Sequence, residues 1–268
     1  MNVTKDDFVS KAAFEEYERT IQLFYSQLVY LNTTIYVMER IAEFPWSLFG
    51  SPHGMTPFFH IVMNNSFVSA ILIITKLVTD QGNGPTIRSF RDTLRRDLIR
   101  PESRDALSLD ERLGQIKVLL APVKSKLGTI EDIRNQYVAH LGEELIHPPA
   151  ERKTERVDLS TLVELRNVLN QAFQVLTLKD DTEYSMLPWE YSDLVTHPPG
   201  SDPRSDIERI LDKVACESAL LHAPERDPFW QEIRSLRSDD EMALINHYRE
   251  KCGLDPVHTP RFASSTPG

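Results

Sequence analysis

The sequence predicts an all-α fold, a bundle of four to five helices carrying a C-terminal helical appendage. Three observations lead there. Apolar residues recur in alternating steps of three and four over several long stretches, the spacing that keeps one face of a helix against a core. No segment alternates apolar and polar residues at the two-residue period of a half-buried strand. Glycine is scarce, at 10 of 268 residues, while 41% hydrophobic and 26% charged residues describe a chain able to bury a substantial core.

The first stripe is Phe14, Tyr17, Ile21, Phe24, Leu28, Leu31, Ile35, Met38 and Ala42, which predicts a helix over about 12–43. Phe44-Pro45 ends it, and Pro52, Gly54 and Pro57 mark a connecting loop. A second helix, about 57–79, is apolar on nearly every side between Phe67 and Ile74, the pattern of a central helix with several neighbours. That apolar run is too short to span a bilayer, so no membrane association is expected. Asp80-Gln81-Gly82-Asn83-Gly84-Pro85 breaks the chain, a short arginine-rich helix runs to about residue 98, and Pro101 closes the region.

The next stripe runs Leu109, Leu113, Ile116, Leu120, Val123, Leu127, Ile130, and then, in the same register, Arg134, Tyr137 and Leu141. Pro122 and Gly128 argue against one straight helix, because an interior proline removes a hydrogen bond and costs about 3 kcal/mol. Thr129-Ile130-Glu131-Asp132 has the form of a capping box, so a fresh helix is expected near Thr129. Leu162, Leu165, Leu169, Ala172 and Leu176 define a helix over about 158–178. Residues 179–205 read as a linker or an irregular wrap, rich in proline, in which Trp189 and Tyr191 suggest packing on the body. A C-terminal extension over 206–253 holds two helices, about 205–222 (Ile207, Ile210, Leu211, Val214, Leu221) and about 227–251 (Phe229, Trp230, Ile233, Leu236). Ser238-Asp239-Asp240-Glu241 is able to recap the second of these midway, Gly253 stops it, and 254–268 read as a disordered tail.

The residues with chemistry are concentrated in Ile133-Arg134-Asn135-Gln136-Tyr137-Val138-Ala139-His140. An arginine clamps anions, an amide positions a neighbour, and histidine is the side chain whose unperturbed pKa lies near neutrality. Ion pairing of Arg134 to Glu131 or Asp132, with a hydrogen-bonded structural His140, is the simplest account of these residues taken alone. The net charge of −10 argues against a protein that coats nucleic acid through bulk electrostatics. A local basic cluster exists in Arg88, Arg91, Arg95, Arg96, Arg100 and Arg104, of which Arg88, Arg91 and Arg95 are candidate RNA contacts. Asp92, Asp97, Glu102 and Asp105 dilute it, and a solvated helix face is the simpler explanation. The histidines and two cysteines lack metal-ligand spacing, and neither a phosphate loop nor a G-x-S-x-G element is present. With a polar N-terminus and no Cys framework, a cytoplasmic setting is expected.

The set R-N-x-x-x-A-H, at the end of the fourth helix of an all-α domain, resembles the HEPN superfamily, whose motif is an arginine followed after four to six residues by a histidine. Here five residues separate Arg134 from His140, Asn135 fills the polar position after the arginine, and Ala139 precedes the histidine. The apolar stretch Ser69 to Asp80, ending in a Leu-x-x-Asp element, is similar to the abortive-infection AbiU-type branch. The resemblance covers about residues 10–178. It implies a metal-independent endoribonuclease, needing no metal or other cofactor, of the toxin–antitoxin or phage-defence kind. In that scheme the ribose 2′-hydroxyl attacks the adjacent phosphate, leaving 2′,3′-cyclic phosphate ends. His140 is then the general acid or base, Arg134 holds the phosphate, and Asn135 orients them. It also implies RNA as substrate or ligand, a homodimer, and an antitoxin or nucleotidyltransferase as partner. A HEPN-fold module that binds RNA, nucleotide or a partner without catalysis is the competing expectation. On one regular helix, six residues rotate a side chain by roughly 600°, leaving the pair about 120° apart and about 9 Å apart along the axis. A compact site therefore requires a break before His140 or two copies facing each other.

Overall fold

The computed structural model describes residues 2–49, 55–79, 84–134, 157–188, 191, 203–221 and 237–257. Eight α-helices lie within them: α1 (Lys11–Glu43), α2 (Trp46–Phe49), α3 (Pro57–Val78), α4 (Ile87–Thr93), α5 (Leu109–Arg134), α6 (Leu159–Leu176), α7 (Asp206–Leu221) and α8 (Asp239–Lys251). Among the described residues β-structure is limited to two isolated bridges, Asn2 with Lys179 and Phe8 with Ile99. The fold is all-α. It divides into two compact units, one of residues 1–39 and 63–202, the other of 40–62 and 203–268.

In the first unit, the stripe of α1 is buried from Tyr17 through Ile21, Phe24, Leu28, Leu31 and Ile35 to Met38. It meets Ala70, Ile71, Ile73, Ile74 and Leu77 of α3, the α5 stripe Leu109, Leu113, Ile116, Leu120, Val123 and Ile130, and Leu162, Leu165, Leu169, Ala172, Phe173 and Leu176 of α6. Phe8, buried ahead of α1, meets Phe14 and Tyr17 edge-on or tilted, and Phe24 meets Phe90 of α4 edge-on. Polar groups then fix the α1–α6 register. Tyr17 donates its hydroxyl to the Thr177 carbonyl, Asn32 and Asn170 exchange amide hydrogen bonds of 3.0 and 2.9 Å, and Arg166 pairs with Glu39 at 3.1 Å. The wrap after α6 is held on the same body. Val3 donates to the Leu178 carbonyl, Tyr25 Oη to the Ser185 carbonyl, and Tyr191 stacks on Tyr36.

α5 departs from the expectation of a broken helix: it runs unbroken through Pro122 and Gly128. Pro122 lies on the solvent side, and the residue whose carbonyl loses its donor, Val118, is 73% exposed, so water can satisfy that group. Gly128 is exposed as well. The helix therefore does not restart at Thr129. The arginine-rich helix also differs from a plain short helix. α4 passes into a π-helical turn, Leu94–Leu98, which places both Leu94 and Leu98 in the core. α3 buries its core-facing residues yet leaves Leu72 partly open, so it is less completely covered than its composition suggests. Because α3 begins at Pro57, its length and composition are those of a helix able to cross a membrane, although 33% of its most apolar stretch is buried in the protein.

In the second unit, residues expected to form a loop after Pro45 instead make the short helix α2. Pro45 supplies the first carbonyl, accepting from Leu48 and Phe49, and Trp46, Leu48 and Phe49 are buried. Trp46 Nε1 donates to the Ile41 carbonyl at 2.8 Å, and its ring meets Phe44 and Phe59. Ile41, not Ala42, carries the buried position at the end of α1. α7 buries Ile207, Leu211 and Ala215, a strict four-residue spacing that leaves Ile210 outside. Ser238 caps α8 in a full capping box with Glu241, and Met242, Ile245 and Arg249 are buried. Beyond α8, Leu254–Val257 pack back, with Asn246 exchanging hydrogen bonds with the Val257 backbone and Arg249 Nε donating to the Asp255 carbonyl. The expectations for Phe229, Trp230, Ile233 and Leu236, and for the tail from residue 258, fall outside the described residues.

Candidate functional site at the end of α5

α5 and α6 pack antiparallel. Arg112 near the start of α5 bridges to Asp180 just beyond α6 at 2.7 Å, and Lys126 bridges to Glu164 at 2.5 Å. Arg134 lies about two turns beyond Lys126, which brings it level with the first residues of α6. In the register of the buried stripe it is the position that follows Ile130, so a charged residue takes the place an apolar one would hold. The structure gives Arg134 a helical backbone; Asn135, His140 and the Asp80 of the Leu-x-x-Asp element lie outside the described residues.

What faces that end of α5 is the start of α6. Asp158 is its N-cap, accepting from the Thr161 amide at 2.8 Å and from Ser160 Oγ at 2.8 Å. The Thr161 amide and the hydroxyls around it pull the Asp158 carboxyl down to about 2. A fixed negative charge thus stands level with Arg134, beside the backbone amides of a helix N-terminus. Sequence reading did not single out Asp158. Its signal was local, an Asp immediately before an apolar-periodic run, but the pairing of α5 with α6 that gives it a place here is a tertiary fact.

The three arginines proposed as RNA contacts lie elsewhere. Arg88 and Arg91 are on α4 and Arg95 on the π-helical turn. Arg95 pairs with Asp110 in the first turn of α5 at 2.8 Å, and Arg91 pairs with Asp92 at 2.6 Å. Asp110 and Arg134 are separated by the length of α5, about 36 Å at 1.5 Å per residue. Within one chain, Arg95 therefore sits at the far end of α5 from Arg134, and the structure does not bring these two into one site. Much of the cluster is internally engaged: Arg96 pairs with Asp97, Arg100 Nε donates to the Phe8 carbonyl, and Arg104 donates to the Arg95 carbonyl.

Residues 46–178 match the HEPN family described as AbiU2. Over these residues the chain belongs to the AbiU-type branch of the HEPN superfamily. The match ends where α6 ends and contains the whole Arg134–His140 segment, and it starts at Trp46 instead of near residue 10. α1, although it supplies much of the first unit's core, lies outside the matched HEPN region. No curated protein and no solved structure matches the chain.

Proposed function

We propose that this HEPN protein is a metal-independent endoribonuclease of the toxin or phage-defence kind. The observation that carries the reading is the Arg134-Asn135-x-x-x-Ala139-His140 set, inside the matched HEPN region and beginning at the end of α5. A guanidinium at a register position where the stripe predicts an apolar residue fits a phosphate-binding role. In the proposed reaction His140 takes the proton of the ribose 2′-hydroxyl or gives one to the leaving 5′-oxygen. Such a transfer contributes about 10²–10⁴-fold. Arg134 holds the phosphate and stabilises charge growing on its oxygens, and Asn135 orients the histidine or phosphate. Facing copies in a homodimer complete the cleft.

The test is incubation of the purified protein with total RNA and tRNA in EDTA. Cleavage that survives chelation, leaves 2′,3′-cyclic phosphate ends and falls at least about 100-fold in both Arg134→Ala and His140→Ala is expected. Light scattering at micromolar concentration should give a dimer, and a strict monomer removes the shared-cleft form of the site. Leu141-Gly142 after the histidine, where this branch commonly carries polar or acidic residues, favours a second reading: a non-catalytic module that binds RNA, a nucleotide or a nucleotidyltransferase partner. RNA or nucleotide binding without cleavage would select it.

A further inference from the structure

The chain has two cysteines, 36 positions apart, and the second unit brings them together. Cys216 lies on α7 one turn beyond Asp212; Cys252 is the C-cap of α8. α7 and α8 are held in this register by Asp212, which accepts from Tyr248 Oη at 3.3 Å and from Lys251 Nζ at 3.4 Å. One turn along α7, the Cys216 thiol points at the Tyr248 carbonyl, 3.9 Å away. That same carbonyl accepts the backbone amide of Cys252 at 3.1 Å. A thiol and the amide of the other cysteine thus share one acceptor. Both residues are partly exposed, so small solutes can reach them.

We propose that Cys216 and Cys252 form a dithiol site that hydroperoxides oxidise to a reversible intrachain disulfide, tying α7 to the end of α8. Burial, followed by the hydrogen bond between the two thiols, pushes the Cys216 thiol up to about 11. With its S–H also directed at the Tyr248 carbonyl, Cys216 is the resolving thiol, and the first step is assigned to Cys252. The Cys252 sulfur, giving up its proton, attacks one peroxide oxygen; the O–O bond breaks and the departing hydroxide takes up that proton as water. The sulfenic acid so formed has its S–O bond broken by attack of Cys216 sulfur, which gives up its proton. The S–S bond forms and the second oxygen leaves as water. Two thiols lose two electrons in all, and one hydrogen peroxide becomes two waters. A dithiol reductant returns both cysteines to thiols by exchange through a mixed disulfide.

The test uses the full chain, reduced and freed of reductant, treated with hydrogen peroxide. Both titratable thiols should disappear together, the protein should remain unlinked to other copies on a non-reducing gel, and a non-reducing digest should contain the Cys216 peptide joined to the Cys252 peptide, released by dithiothreitol. Cys216→Ser, checked for native helicity by circular dichroism, should instead yield Cys252 trapped by dimedone. Persistence of both thiols in the folded chain, or oxidation that gives separate sulfinic acids or disulfides between chains, overturns the proposal.

Discussion

Tyr17 illustrates how a single side chain couples distant sequence. Its ring sits on the α1 stripe among Phe8, Phe14 and Phe90, while its hydroxyl reaches the Thr177 carbonyl 160 residues away. Burial pushes its ionisation well above the usual tyrosine range, so the hydroxyl remains a donor at every ordinary pH. Tyr17→Phe keeps the ring and leaves the Thr177 carbonyl without that donor. It should cost about 1–3 kcal/mol in urea unfolding, and a loss below about 0.5 kcal/mol would show that water or backbone replaces the bond. The periodicity of α1 identified Tyr17 as a core residue because burial follows the helical repeat. Its partner was not legible, since a hydrogen bond across the bundle leaves no local pattern. The same holds for Asn32 with Asn170, where two ordinary helix-face amides become a matched pair only once α1 and α6 lie side by side.

At the level of elements, α5 shows where local propensity misleads. Pro122 and Gly128 inside this 26-residue helix argue for a break, yet both fall on the exposed side while the opposite face is committed to the core at six positions. Packing of that face outweighs a local penalty of about 3 kcal/mol. A Cβ added at Gly128 would meet nothing within 4 Å. Gly128→Ala should therefore stabilise the protein by about 1 kcal/mol, read as a higher urea midpoint at unchanged slope. A destabilised variant would mean that this part of α5 needs glycine's freedom. α2 was missed for the converse reason. Four residues are too few to show a period, and what forms the helix is the burial of Trp46, Leu48 and Phe49 after a proline-started turn. The Arg134-to-His140 set was legible as a motif because the motif is local, whereas the antiparallel pairing that brings the Arg134 end of α5 level with the start of α6 was not.

Across the whole molecule, charge decides the acid limit. Hydrogen bonds from Arg112 hold the Asp180 carboxyl down to about 2, and the Thr161 amide does the same for Asp158. Their ordinary value is 3.8. Because the folded values are depressed, the stability these groups contribute is fully present above about pH 4 and is lost as pH falls towards 2. The thermal midpoint should be level from neutrality to about pH 4 and then decline, and the decline should be shallower in Asp158→Asn with Asp180→Asn. An unchanged acid slope in the double variant would assign the loss to other carboxylates.

The polar seam between α1 and α6 also sets the order in which the first unit can be assembled. α1 is made early, but Asn32 and Tyr17 meet their partners 138 and 160 residues later in the chain. During synthesis a long helix with a continuous apolar stripe must wait for α6 and the wrap behind it, and closing so wide a loop comes before any contact rewards it. Until then its apolar face is open to the wrong partner, including the same stripe on a neighbouring nascent chain. The amide pair and the buried tyrosine act at that late moment as a checkpoint on docking: a helix seated one turn out of place leaves three polar groups unmatched in the interior.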